Sequence, residues 1–216
     1  MHYALKVGLF FVCALAIEPA AASADDGALA GAYQKLVAQA EAGRPVDFRA
    51  LREAYASSPN YDPYGLKTTG LRGAMLQAFA EHDCGEAVAR AKAVIDLDFV
   101  QIDAHLVSAL CYGNSGNAVA ERRERTIAEG LVVSILDSRD GRSPQTAFDV
   151  VAIDEEYAIL NVLQLDRKMQ TLIDQDGHSY DRFDAIVKKT GEKETVFFNI
   201  DRLVHYFGRE RRSGEK

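Results

Sequence analysis

The chain has 216 residues, 32 of them acidic against 25 basic, for a formal net charge of -7 and a single-domain to two-domain length. Nucleic acid and anionic membrane surfaces both demand a basic footprint, so this balance excludes them as expected partners.

The first residues, "MHYALKVGLFFVCALAIEPAAASADDG", place Lys6 ahead of an apolar run from Val7 to Ile17 and close on Ala22-Ser23-Ala24. That order is a secretory signal peptide over 1–24, cleaved after Ala24, because the run is shorter than the ~20 residues a membrane span needs. A lipid anchor fails, since Cys13 follows Phe10-Phe11-Val12 inside the apolar run and has no small-residue box before it. The mature chain is expected to be soluble and exported, without membrane insertion, and periplasmic in a diderm host. Lys6 and Glu18 leave together, so the charge stays at -7.

Residues 25–137 read as helical hairpins. Gly27 to Ala42 carries Leu29, Tyr33, Leu36, Val37 and Ala40 on one stripe and stops at Gly43-Arg44-Pro45. Asp47 caps "FRALREAYASS", where Phe48, Leu51, Ala54 and Tyr55 share a face. Pro59 and Pro63 make "SPNYDPYG" a loop, and a third helix runs from about Leu66 to Glu81. From Cys84, the stripe Ala87, Ala91, Val94 and Ile95 is broken by "DLDFVQID". It resumes as Ala104, Val107, Leu110 and Cys111, up to the Gly113–Gly116 turn. Small residues at fixed places give tetratricopeptide-like packing, although the tryptophan slot is empty and no strict repeat can be laid over the chain. The helix "NAVAERRERTIAEGLVVSILD" follows, with Ile127, Leu131, Val132 and Ile135 inward and Arg122, Arg123 and Glu124 exposed; Gly130 marks a kink or a close contact.

Residues 138–207 shift to shorter, branched and aromatic runs. "TAFDVVAI" is a predicted strand, and "DEEYAILNVL" a short helix capped by Asp154 with Glu155 and Glu156 in its first turn. "KMQTLIDQ", "HSYDRFDAIVKK" and "ETVFFNID" are three strands joined by Asp176-Gly177 and Lys189–Lys193 turns, which implies antiparallel pairing. The fold class is therefore α+β: tetratricopeptide-like helical hairpins, then a small antiparallel sheet with one helix packed on it. Residues 208–216, basic through Arg209, Arg211 and Arg212, are expected to be a flexible tail.

Chemistry is sparse. After the signal leaves, Cys84 and Cys111 remain as a pair in an oxidising compartment, one opening a helix and the other nearly closing the next. Their α-carbons are expected within the ~4.4 to 6.8 Å disulfide window, with two buried free thiols as the other reading. There is no G-x-S-x-G elbow, and His82, His105, His178 and His205 lack the spacing that puts two ligands on a helix face. No catalytic residue, metal or cofactor is expected, and His105 reads as a packed or capping residue. "DQDGHSYD" has a calcium-loop flavour, but counting from Asp174 the sixth and twelfth positions hold Ser179 and Ala185, so a hairpin turn is preferred.

The stretch "LDSRDGRSPQTAFDVV" offers Asp140, Arg142, Ser143 and Thr146 as ligand-contact candidates beside Gly141. A phosphate cradle would need more glycines and a helix directly after the loop, whereas Pro144 and a strand follow. Turn chemistry joining the helical part to the sheet is the default reading.

Taken together, "DFRALREAYASSPNYDPYG", "DAHLVSALCYGNSGN", "EGLVVSILDSRDGRSPQTAFDVVAIDEEYAIL" and "FFNID" resemble bacterial exported proteins grouped as domain-of-unknown-function family 4919, from about Asp47 to Asp201. The resemblance implies an exported protein that forms one structural unit, and it carries no activity or site residues. Two functions stay open: a binding or scaffold module for a peptide or protein partner in the cell envelope, and an envelope hydrolase or carbohydrate-processing enzyme using Asp140, Ser143, Glu155 or Glu156. If the loop oxygens cap backbone amides, the loop is architectural; if they face a pocket with a carboxylate of raised pKa, the enzyme reading gains.

Overall fold

The computed structural model describes residues 24–206. The expected signal segment, apart from Ala24, and the tail at 208–216 lie outside the described residues. Six helices come first: α1 (Ala24–Glu41), α2 (Phe48–Ala56), α3 (Thr69–Ala80), α4 (Cys84–Leu97), α5 (Ile102–Asn114) and α6 (Ala118–Leu136). A one-turn 3-10 helix at Pro144–Thr146 leads to β1 (Phe148–Asp149), α7 (Ile153–Val162), β2 (Leu165–Gln175), β3 (His178–Val187) and β4 (Lys193–Asn199). A final helical turn occupies 201–206. The architecture is α+β, a mostly helical first part followed by a four-stranded sheet with α7 packed on it.

Helix starts follow from capping oxygens. Asp47, Asp83 and Asn117 each accept from the backbone amide three residues on, Ala50, Glu86 and Ala120, at 3.0, 3.0 and 3.2 Å, which satisfies donors that a helix end leaves orphaned. The expected stripes are buried in large part: Tyr33 and Ala40 on α1, Leu51 and Tyr55 on α2, Ala87, Ala91 and Val94 on α4, and Ala104, Val107 and Cys111 on α5. Leu29 and Leu110 are corrections, at 41 % and 46 % exposed, each at the edge of its stripe where no neighbouring element among the described residues covers it. The third helix also begins later than expected, at Thr69, leaving Leu66 75 % exposed in the preceding loop.

Gly130 resolves as a close contact. α6 continues unbroken through it, and a β-carbon there would lie 2.2 Å from the Phe48 ring. Glycine is what lets α2 approach α6 this closely.

In the second part the strand expected over "TAFDVVAI" shrinks to Phe148–Asp149. Its apolar residues Val150, Val151 and Ala152 are buried without being paired, in the approach to α7. The sheet order is β1-β4-β3-β2; β2, β3 and β4 are antiparallel as expected, but β1 runs parallel to β4. A crossover through α7 and two more strands separates β1 from β4, and such a connection permits the parallel direction. At the β2–β3 turn Asp176 and Gly177 have φ of +55° and +81°, the conformation of a type I′ hairpin, which replaces the calcium-loop reading with a turn.

Two clusters of buried side chains hold the molecule. The larger joins Leu51, Tyr55, Ile127 and Leu131 from the helices to Phe183, Phe198 and Leu203 from the sheet side, so one core runs across the boundary expected at 137/138. The smaller lies among α3, α4 and α5 around Met75, Ala87 and Val94. A ladder of rings, Tyr33–Tyr55–Tyr61–Tyr206, with centroids 5.5 to 5.6 Å apart, threads the larger core. Among the described residues no helix is long and apolar enough to cross a membrane.

Candidate functional site

The loop after α6 spends its polar atoms on itself. Thr146 Oγ1 accepts the Ser143 amide at 3.2 Å and lies 3.0 Å from Ser143 Oγ, while the Arg142 amide donates to Asp140 Oδ1 at 3.1 Å. The Gly141 amide donates to the Thr146 carbonyl at 2.7 Å, and the Gly141 carbonyl accepts from Phe197 at 2.8 Å. Gly141 is required twice over: its φ is +69°, and a β-carbon would lie 2.3 Å from the Phe148 ring. Hydrogen bonds from Thr146 and the Arg142 amide hold the exposed Asp140 carboxyl below its ordinary range, the direction opposite to a general acid. Asp140, Ser143 and Thr146 are thus brought together as a loop-to-sheet clasp. Arg142 contributes its amide to that clasp, while its exposed guanidinium borders a shallow cavity of about 200 Å³ with Asp140.

Just beneath the loop lies a buried polar junction that periodicity did not reveal. Arg52 of α2 is 3 % exposed and grips Glu155 of α7 with two bonds, Nε to Oε1 and Nη2 to Oε2, both at 2.7 Å. Nη2 also donates to the Asp149 carbonyl at 2.8 Å, and Glu155 Oε2 accepts the Val151 amide at 2.8 Å. This fork ties α2 to the strand and helix of the second part, and it uses up Glu155. Asp154 is also a correction: the residue at the helix boundary is Ala152, with no side-chain cap. Asp154 instead accepts from Arg72 and Gln101 at 2.7 and 3.1 Å, because these long-range donors outcompete the local amides. Its position in the first turn still suits the helix dipole.

Glu156 behaves differently. It is fully buried beside Asp181 of β3, with no well-aligned hydrogen-bond partner for either oxygen among the described residues. Burial, then the neighbouring Asp181 charge, drives its carboxyl well above the ordinary range. Burial raises Asp181 as well, against the bond it accepts from Gln170 at 2.8 Å. Two neighbouring carboxyls in a buried site cannot both ionise cheaply, and this favours the protonated form of one of them.

A third acid, Asp98, sits at the turn between α4 and α5, 2 % exposed, and accepts from the Val100 amide and Gln101 Nε2 at 3.0 and 3.2 Å. Burial raises it to about 7, although those hydrogen bonds pull the other way. It closes a small cavity with Asp103 and Asp154.

His105 is packed, with both ring nitrogens engaged: Nδ1 lies 2.7 Å from Glu124 Oε2 and Nε2 lies 2.8 Å from the Phe99 carbonyl. Glu124 was expected on the surface and is instead 6 % exposed. Burial pushes its carboxyl up, and the His105 and Arg123 contacts outweigh this and bring it below its ordinary value. His178 bonds Asp201 at 2.6 Å on the surface. Cys84 and Cys111 form a disulfide between α4 and α5, with α-carbons 5.1 Å apart.

A roomier concavity than those beside the loop and the buried acids lies elsewhere. A groove of about 690 Å³ runs between the α1–α2 connection and the first half of α6. Val46, Phe48, Val119 and Ile127 give it an apolar floor, and Arg44, Arg122 and Arg123 stand along it against the single carboxylate of Glu41. Val119 is 84 % exposed, an apolar side chain offered to solvent. Arg123 bonds Glu124 at 2.8 Å, while Arg44 and Arg122 have no ion pair among the described residues. The signal available in the sequence was the "ERRER" run beside exposed apolar positions, which reads equally well as a solvated helix face.

No curated protein and no solved structure matches the chain significantly. The family profile described as Domain of unknown function (DUF4919) matches residues 33–208, most of the chain and all of the elements from within α1 to the last helical turn, so the chain belongs to that family.

Proposed function

We propose that the protein is a binding module for a peptide segment, acting after export to the cell envelope, with the α1–α2/α6 groove as its site. One observation carries the reading: a groove of about 690 Å³ pairs an apolar floor with three guanidinium groups and one carboxylate. That volume falls in the range of ligand sites, and grooves between helices bind segments by apolar anchors plus a few polar contacts. The occupant it fits is an acidic segment with an apolar side chain every three or four residues. Arginine is suited to this because its planar fork meets carboxylates bidentately and loses little order in doing so.

The test is fluorescence anisotropy with labelled acidic amphipathic peptides against the chain from residue 25 onward. Saturable binding that weakens with salt, and falls at least about tenfold in Arg44→Glu/Arg122→Glu, is the expected result, corresponding to about 1.4 kcal/mol. Binding that the double variant leaves unchanged would overturn the assignment to this groove. An Asp140→Ala/Ser143→Ala variant is expected to bind as the parent does.

A further inference from the structure

A separate hollow of about 250 Å³ opens where the end of α6, the run after β1 and the turn after β4 meet one face of α2. Arg49, Arg52 and Arg202 line it together with Glu53, Asp149 and Asp201. Its wall therefore carries balanced charge, unlike the arginine-rich groove, with which it shares no lining residue. Two of these six groups are committed inside the protein. Arg52 belongs to the fork with Glu155, and Asp201 accepts from His178 and from the Ser179 amide at 2.6 and 2.8 Å. The guanidiniums of Arg49 and Arg202 and the carboxylates of Glu53 and Asp149 have no ion pair or side-chain hydrogen bond among the described residues. Arg49 and Glu53 stand one turn apart on α2, the spacing at which helix ion pairs form, and still do not meet. Both signs of charge are left available around one concavity. Arg52 adds a buried donor. A guanidinium has five N–H groups, and Arg52, 3 % exposed, commits four of them: to both Glu155 oxygens, to the Asp149 carbonyl and, over a long 3.4 Å, to Ser134 Oγ. The fifth, on Nη1, has no acceptor among the described residues, and Ser134 lines the hollow beside it. A buried N–H without an acceptor keeps its desolvation cost, so an acceptor placed there is favoured.

We propose that this hollow binds a free α-amino acid with a small apolar side chain. A simple anion or cation would meet as much repulsion as attraction in a wall of balanced charge, whereas a zwitterion presents the opposite sign to each half of it. The carboxylate is matched by Arg49, Arg202 and the unused N–H of Arg52, since guanidiniums meet carboxylates through paired N–H bonds. The ammonium is matched by Glu53 and Asp149, whose ionised carboxylates only accept. Val150 and Val151, both buried, give the side chain an apolar wall. The volume lies below the ~300 Å³ at which pockets for drug-sized ligands begin, which selects a guest of amino-acid size over a longer peptide. The lining comes from separate segments that the Arg52–Glu155 fork and the larger core already hold together, so little ordering is left for the ligand to impose. Most of the charged groups are exposed and each contact contributes little, so the expected Kd is about 0.1 to 1 mM.

The experiment is heteronuclear NMR titration of the chain from residue 25 onward with L-alanine and L-valine. Isovalerate, which is valine without its ammonium, isobutylamine, which is valine without its carboxylate, and valyl-valine are titrated alongside. Saturable shifts centred on the amides of 149–151 and 199–202 are expected with at least one of the two amino acids, about tenfold tighter than with isovalerate or isobutylamine. Arg202→Met and Asp149→Asn alter exposed side chains that bond nothing else among the described residues. Each is expected to weaken amino-acid binding about threefold to fivefold while leaving the urea midpoint unchanged. Arg44→Glu/Arg122→Glu is expected to leave it unaltered, so this site and the peptide groove stand or fail separately. Absence of saturation at about 10 mM of either amino acid, tenfold above the expected range, overturns the proposal. So does isovalerate binding as tightly as valine, shifts that miss both segments, or amino-acid binding unchanged in Arg202→Met and Asp149→Asn. Valyl-valine binding more tightly than valine overturns the amino-acid assignment in favour of a peptide.

Discussion

Arg52 and Glu155, 103 positions apart in sequence, form a two-bond fork with both N···O distances at 2.7 Å and both side chains under 5 % exposed. A buried pair of this kind is expensive to break from one side, because the surviving charge keeps its desolvation cost and loses its partner. Arg52→Met is expected to destabilise by about 3 to 5 kcal/mol, and Arg52→Met/Glu155→Leu by clearly less than the sum of the single variants. Urea unfolding followed by circular dichroism reads all three. Additive losses would show that the fork is not a coupled unit.

Gly130 gives a steric prediction with two opposing parts. Alanine in a helix interior gains up to about 1 kcal/mol over glycine, but here its β-carbon would meet the Phe48 ring at 2.2 Å. Overpacking of this kind costs about 1 to 3 kcal/mol, so Gly130→Ala is expected to be net destabilising. In a Phe48→Leu background the ring is gone and the same substitution should become neutral or stabilising. Thermal melts of the four proteins in that cycle decide it; equal losses in both backgrounds would place the strain elsewhere.

These two residues also mark the limits of legibility. Helix stripes such as Ala87, Ala91, Val94 and hairpin signals such as Asp176-Gly177 are local, since periodicity and turn chemistry act within a few residues. The fold class and most element boundaries were legible on that basis. Arg52, Glu124 and Glu156 were not, because a charge becomes buried only when its surroundings arrive from far along the chain, and each looks in sequence like any other charged helix position. Glu124 in particular was expected to be exposed with its arginine neighbours, and His105, nineteen positions away, is what draws it inward. β1 was overestimated for a related reason: Val150, Val151 and Ala152 are buried by packing rather than by strand pairing. The junction loop was legible as turn chemistry, because Asp, Gly, Ser and Thr bond amides two or three residues away.

The raised carboxyls predict the direction of a pH dependence. A group whose folded-state pKa lies above its unfolded value keeps more protons in the native state, so stability falls as pH rises through that window. For Glu156 the window begins at its ordinary 4.5 and extends well upward, and for Asp98 it runs from 3.8 to about 7. Glu156→Gln is uncharged throughout and keeps a similar shape. It is expected to be more stable than the parent at pH 8, with the advantage shrinking toward pH 5, the reverse of what removing a salt-bridged carboxylate gives. Urea midpoints of parent and variant across that range measure the difference. A difference that does not change with pH would mean that Glu156 titrates normally.

The disulfide ties α4 to α5 across a sequence separation of 27. Closing a loop of that size removes unfolded-state freedom equivalent to about 3.5 kcal/mol in the chain-entropy treatment. The half-cystines sit differently, Cys111 being 1 % exposed and Cys84 lying at the first turn of α4 near Asn114. Alkylation of the unreduced, denatured chain from residue 25 onward should therefore leave its mass unchanged, whereas prior reduction should add two alkyl groups. Cys84→Ala/Cys111→Ala should lose about 2 to 4 kcal/mol. The loss should fall mainly on the smaller cluster around Met75, Ala87 and Val94, because the bridge joins two of the helices that enclose it. Hydrogen exchange separates this from a global effect. Amides of α3, α4 and α5 should lose protection in the double alanine variant well before those of β3 and β4, which belong to the larger core. Uniform loss across both clusters would show instead that the two unfold as one cooperative unit, with the bridge stabilising the whole.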